Sequence, residues 1–406
     1  MPVNRLSYGH RPTFTNLTDV FAAANESTLE SYAKWQLIGR YLPRLDSDFL
    51  SLVDTFNEAT TGQGSRQRYQ TCISVTQNIM PLALARPYTD YLLPNGTKEN
   101  VTEMIEEVKE AFKSRLEDKD WLDDTTKERC AEKVDAMTEM VAYPDQISND
   151  TYLDELYALF NMTEDGYFEN YLQYIIISNV ENFASLRTPV DKSVWLNAPT
   201  AVNAYYSPQF NQFVFLEGIL NSPFFHAGWP EYFLYGALGV IIGHELTHGF
   251  DDEGQQYDKD GILHQWWTNS SVEAFRERQT CFEEQYSQYE MFGYNVSGNL
   301  TLGENIADNG GLHTSYQAFQ KLMNTTEQPM LPALQYTPEQ LYFIGYAQSW
   351  CSLYTEEYIA SVTKTDEHSP GPFRVIGAIV NSKEFPEAFQ CKEGSAMNPE
   401  DKCELW

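Results

Sequence analysis

The sequence predicts a mainly α-helical chain with a small β-sheet, and three observations carry that expectation. Apolar residues recur at three- and four-residue spacing in the first half, as at Val101, Met104, Ile105, Val108 and Phe112. Trp195 to Tyr206 reads as extended, and Phe213 to Leu216 as a second short β-like run. The stretch from Phe233 to Gly243 is almost wholly apolar or small, so it reads as a buried helix, with Gly249 as its stop.

At 406 residues the chain exceeds the ~250–300 at which one core stops growing, so two domains are expected. The texture changes near Arg187, which divides a helical region, 1–187, from a region bearing the chemistry, 188–406. In the first, Ser27-Thr28-Leu29-Glu30 reads as a capping box before an apolar series Ala33, Leu37 and Tyr41, ended by Pro43. A cleaner amphipathic helix begins at Asn100. Another starts near Asp124 or Thr125, with Cys130, Val134, Met137 and Val141 as its stripe, which makes Cys130 a small buried hydrophobe.

The chemistry centres on Gly243–Asp252, Gly-His-Glu-Leu-Thr-His-Gly-Phe-Asp-Asp. His244 and His248 stand one helical turn apart on one face, where two neutral imidazoles reach one Zn²⁺ and Glu245 reaches a water beside it. A third ligand is needed. In Leu302–Gly311, Glu304 and Asp308 share a helix face, so Glu304 supplies it if the two helices pack. Asp308 then accepts a ring N–H from a ligand histidine, and Asp251 is a candidate for the same task on the other. The bland reading of the Glu304/Asp308 pair is a solvated acidic face, which Ile306, Ala307 and the flanking glycines disfavour. Asn203, read locally, is a strand-end turn residue. Thr337-Pro-Glu-Gln340 caps a helix through Ile344 and Trp350 that reads as core. His368-Ser-Pro-Gly-Pro-Phe-Arg374 is a pinned loop whose His and Arg could bind an oxyanion and a carbonyl. His226, His264 and His313 have no partner pattern.

Net charge of −31 disfavours nucleic acid and anionic membrane surfaces as partners. No apolar run approaches the ~18 residues of a membrane span, and Met1–Arg5 is no signal peptide. Yet sequons stand at Asn16, Asn25, Asn95, Asn100, Asn149, Asn161, Asn269, Asn295, Asn299 and Asn324, which points to the secretory route and an extracellular or cell-surface location. Six cysteines suit an oxidising compartment. The conflict between route and missing entry signal leads to the expectation that an N-terminal portion is absent.

Five strings in this order resemble the neprilysin family of zinc metallopeptidases, which includes the endothelin-converting enzymes. They are Val202–Tyr206, Val240–Asp252, Gly303–Gly311, His368-Ser-Pro-Gly371 and Cys403-x-x-Trp406. The resemblance implies a thermolysin-like catalytic domain with part of a helical capping domain that admits only peptides. It implies one zinc on His244, His248 and Glu304, with Glu245 as general base and His368 stabilising the oxyanion. Asp308 joins them as a catalytic and supporting residue. By the same resemblance Asn203, Ala204 and Arg374 hold the substrate backbone. Ile219, Phe224, Val240, Ile241, Ser349 and Trp350 line the pocket for the side chain after the cut. The function implied is an endopeptidase cutting peptides on the amino side of hydrophobic residues. The competing readings are a pseudo-protease or impaired fragment that binds zinc and peptides without efficient turnover, and a purely structural zinc. Glu404, where neprilysin carries an arginine, is expected near the far subsite. The resemblance also implies a Cys281–Cys403 disulfide, with Cys72, Cys351 and Cys391 left without partners and Cys130 a buried thiol.

Overall fold

A computed structural model describes residues 11–406, so the reading of Met1–Arg5 lies outside the described residues. The helices, in chain order, are α1 (Arg11–Ala23), α2 (Glu26–Tyr41), α3 (Ser47–Thr61), α4 (Arg68–Ile79), α5 (Pro81–Leu92), α6 (Thr97–Asp118), α7 (Asp124–Asp135), α8 (Asp150–Leu156), α9 (Tyr167–Ser185), α10 (Glu231–Leu234), α11 (Val240–His248), α12 (Asn269–Tyr286), α13 (Leu302–Met323), α14 (Pro338–Ser349), α15 (Glu356–Thr365), α16 (Gly371–Asn381) and α17 (Glu384–Phe389). Strands β1 (Thr138–Ala142), β2 (Ala204–Ser207) and β3 (Gln212–Leu216) form one sheet; β4 (Glu290–Met291) and β5 (Tyr294–Asn295) form a small hairpin. The expected class, mainly helical with a small sheet, is the one observed.

Two compact units emerge. Of the described residues, one takes those up to Ser65 and Phe160–Glu181; the other takes Arg66–Leu159 and Asn182–Trp406. This differs from a division at 187/188. The reason is the sheet: β1 pairs parallel with β3, from Thr138↔Gln212 to Ala142↔Leu216, and so draws upstream residues into the larger unit. Helix α6 follows, burying Val101, Ile105, Val108 and Phe112 as its periodicity predicts, against α13 among others. It starts at Thr97, a turn earlier than Asn100.

The stripe drawn through Cys130, Val134, Met137 and Val141 is broken. Helix α7 stops at Asp135 and Val141 belongs to β1, where the ladder to β3 fixes it. Cys130 is buried as expected. In the smaller unit α2 is capped by Asn25, whose side chain accepts from the Thr28 amide, rather than by Ser27. Its Ala33 and Leu37 stay exposed, while Tyr41 packs edge-on against Phe168 and Tyr171 of α9.

The larger unit has one extended core. Near its centre the C-terminal Trp406 is 3% exposed, packed among Phe112, Trp121, Phe250, Trp267 and Phe275. Its indole N–H donates to the Phe250 carbonyl at 3.0 Å. A disulfide joins Cys281 to Cys403 and fastens this tail to α12. Cys72 and Cys351 are exposed free thiols and Cys391 a half-buried one.

Candidate active site

The segment from Glu231 is helical through α10, a π-type turn at Tyr235–Gly239, and α11. It ends at His248, with Gly249 as the capping residue in an ordinary right-handed conformation (φ −63°). Ile241, His244, Glu245 and His248 share the face that lines a cleft of about 540 Å³. The opposite flank meets α13 at very short range. A Cβ on Gly243 would stand 2.8 Å from the Gly311 carbonyl oxygen, and one on Gly311 2.7 Å from the His244 nitrogen. Only glycine at both positions lets the helices cross so closely, and this crossing brings Glu304 to the histidines.

Nε2 of His244 and Nε2 of His248 are 2.9 Å apart. Glu304 puts Oε2 3.3 Å from the first and Oε1 3.4 Å from the second. Behind them, His244 Nδ1 meets Asp308 Oδ1 at 2.9 Å and His248 Nδ1 meets Asp251 Oδ2 at 2.7 Å. Carboxylates only accept, so each Nδ1 carries the hydrogen and each Nε2 turns a lone pair inward. Two lone pairs and a carboxylate then converge with no hydrogen between them, which is the environment of a cation. Tetrahedral zinc separates its ligand atoms by about 3.3 Å, and two imidazoles with one carboxylate leave its fourth position open. The three residues fit zinc.

Electrostatics agree. Burial would push Glu304 up, but the two imidazoles, protonated when they hold no metal, outweigh it by charge and hydrogen bonds and hold its pKa well below the usual range. Burial would likewise raise Asp308, and Arg374 together with His244 holds it down. Burial does raise Glu245. Glu245 is 5% exposed, lines the cleft and has no hydrogen-bond partner among the described residues. Its carboxylate is left to a ligand.

Arg374 is fixed by Nε and Nη2 on Asp308 at 2.7 and 2.6 Å and lies 4.0 Å over the Trp350 ring. Its Nη1 has no protein partner among the described residues, and Arg374 lines the cleft. His368 Nε2 is 3.3 Å from Glu304 Oε2, and its Nδ1 is held at 2.7 Å by Asp366 Oδ1. The sequence does not single out Asp366, since a carboxylate two residues before a histidine on a loop carries no pattern of its own.

β2 is an edge strand, and Asn203 to Tyr206 all line the cleft. The Leu216 amide donates to the Asn203 carbonyl, so Ala204 and Phe215 form a non-hydrogen-bonded pair. The Ala204 amide and carbonyl therefore point away from β3, toward the open edge. Ile219, Phe224, Ile241 and Trp350 make the apolar wall.

Four expectations are corrected. Val240 is 1% exposed and does not line the cleft, because it sits off the Ile241/His244/Glu245/His248 face with its carbonyl against Gly311. Ser349 is absent from the lining, its hydroxyl donating back to the Gly345 carbonyl. Asp308, 1% exposed, is a positioning residue behind His244 rather than a group in the cleft. Glu404 lies away from the lining, paired with Lys119 at 3.0 Å and Lys383 at 2.6 Å.

Paired histidines on a buried helix, crossed by a helix bearing a carboxylate and flanked by an open strand edge, make a cleft whose donor set suits one zinc ion. The chain belongs to peptidase family M13: sequence profiles of that description match residues 203–405 and 2–144. It is 40% identical over 399 residues to neprilysin-3 of Drosophila melanogaster, covering 96% of this chain and 51% of that protein. It is 41% identical over 397 residues to endothelin-converting enzyme 1 of Homo sapiens, covering 97% and 51%. A crystal structure of the Mycobacterium tuberculosis zinc metalloprotease ZMP1 in complex with inhibitor superposes with a TM-score of 0.88 at 30% identity, covering 96% of this chain and 59% of that one. The chain spans about half the length of the curated relatives it matches.

Proposed function

We propose that this chain carries the catalytic centre of a zinc endopeptidase that hydrolyses peptides on the amino side of hydrophobic residues. The observation that supports it most is the single cleft in which an unpartnered Glu245, three metal donors, an open β2 edge and an apolar wall adjoin. His244, His248 and Glu304 would hold the zinc, which would supply Lewis acidity toward a water near neutral pH. Glu245 takes the proton of the attacking water and delivers it to the leaving amine; its raised pKa suits a group that keeps a proton between the two steps. His368, braced at Nδ1 by Asp366, donates from Nε2 to the developing oxyanion. The substrate backbone pairs with Ala204 along the β2 edge, with Asn203 and the free Nη1 of Arg374 holding its carbonyls. Its hydrophobic side chain enters between Ile219, Phe224, Ile241 and Trp350.

Secretory residence is supported by the ten sequon asparagines, all of which are exposed. Among the described residues no helix is long and apolar enough to cross a membrane.

The test is cleavage of a peptide mixture with sites mapped by mass spectrometry. The expected cuts precede hydrophobic residues and vanish on chelation; cuts that persist without metal, or precede charged residues, would overturn the reading. The span of half the relatives' length favours one second reading, that this portion binds peptides without efficient turnover. Peptide binding with no product would select it.

A further inference from the structure

Lys133 on α7 is 0% exposed. Its Nζ donates to three backbone carbonyls, Gly249 at 2.6 Å, Gly254 at 2.8 Å and Tyr257 at 2.7 Å. An ammonium has three donors and no acceptor, so this arrangement consumes it entirely. Lys133 therefore has no hydrogen left for a substrate; what it does is close a turn.

That turn begins where the metal helix ends. Gly249 caps α11, and its carbonyl is among those a helix C-terminus leaves without an intrahelical partner; a cation there also meets the negative end of the helix dipole. The Glu253 and Gly254 amides donate to Asp251 Oδ1 at 2.9 and 2.6 Å, which leaves Oδ2 for His248 Nδ1. The return of the chain is so close that a Cβ on Gly254 would stand 1.8 Å from the His248 carbonyl oxygen. Lys133 is tied in turn to the cleft edge. Asn211 Nδ2 donates to the Lys133 carbonyl at 3.1 Å, and Asn211 Oδ1 accepts from the Tyr206 hydroxyl at 2.8 Å.

We infer that Lys133 is a positioning residue for the metal ligand His248, acting through the Gly249–Tyr257 turn that aims Asp251. The inference rests on the metal-site reading above and extends it to a residue more than a hundred positions upstream of the ligand. Losing the ammonium frees three carbonyls, lets the turn relax, and leaves His248 without a fixed orientation. Partners behind a ligand are typically worth ~10–100-fold in metal affinity, and one further removed belongs at the lower end, about tenfold.

The experiment measures zinc dissociation constants of the full chain by competition with a chromogenic chelator, alongside thermal unfolding. Wild type is expected to bind one zinc and His248→Ala to lose it; failure of either would overturn the metal-site reading itself. With both in place, Lys133→Met is expected to weaken zinc about tenfold while the chain stays folded. Lys119→Met removes another buried lysine, 6% exposed and paired with Glu404, and is expected to leave zinc affinity unchanged. Unchanged affinity in Lys133→Met, or equal weakening in Lys119→Met, would overturn the inference. If Lys133→Met does not fold, hydrogen exchange on the wild type decides. Amides of Glu253 and Gly254 are expected to exchange at least tenfold more slowly with zinc than without; equal rates would overturn it.

Discussion

Glu217 offers a prediction whose size follows from its surroundings. It begins the turn after β3, is 0% exposed, and has one carboxyl oxygen on the Thr89 hydroxyl at 2.7 Å and the other buried without a partner. Burial, aided by the charge of Asp90 and opposed by the Thr89 hydrogen bond, pushes its pKa from an ordinary 4.5 to about 7. The folded state therefore holds a proton that the unfolded chain releases. Stability from this group is fully present below about pH 4.5 and is lost as pH rises through about 7. A shift of that size corresponds to about 3 kcal/mol at most, at ~1.4 kcal/mol per pKa unit. Glu217→Gln keeps the shape and cannot ionise. Urea denaturation of both proteins from pH 5 to 8.5 should give similar stabilities at the acid end, with the variant gaining up to about 3 kcal/mol over wild type at the alkaline end. The difference between the two curves cancels every other titrating group. Parallel curves across the range would refute the argument and show that the buried carboxyl is solvated or paired in solution.

Three further outcomes follow. Cys403→Ser opens a link between residues 122 apart and frees the tail that carries Trp406; the loop-entropy estimate is about 5 kcal/mol, read as a lowered denaturation midpoint in oxidising buffer, with the wild type matching it only under reductant. Asp366→Asn, which unties His368 Nδ1, should lower kcat ~10–100-fold with KM little changed, measured by steady-state kinetics on one peptide. Because Glu404 is held by Lys119 and Lys383 outside the cleft, which keeps its pKa near about 2, Glu404→Ala should leave the relative cleavage of amidated and free-acid peptides unchanged; a switch in that ratio would place Glu404 at a subsite after all.

The metal centre was legible because its chemistry demands particular side chains at helical spacing. His244, Glu245 and His248 announce a face, and Glu304 with Asp308 announces a second; the glycines at 243 and 311 let the two meet. The strand at Thr138–Ala142 was not legible, since Met137 and Val141 continue an apolar helical series and the ladder that overrides it lies on β3, far along the chain. Asp366 escaped because a carboxylate near a histidine on a loop has no distinguishing pattern until the hydrogen bond is seen. Lys133 escaped for a stronger reason: its partners are backbone carbonyls, which leave no trace in residue identity. Val240 and Ile241 are both implied by the resemblance, and only the helical step between them, which turns one side chain to the core and the other to the cleft, separates their places.

The central claim is that three side chains hold the metal while a fourth, Glu245, moves the proton. Zinc content and peptide hydrolysis measured together on Glu245→Gln test it most directly. One zinc per chain is expected, as in wild type, with turnover reduced by ~10²–10⁴-fold or more. Loss of the zinc, or hydrolysis at the wild-type rate, would contradict it.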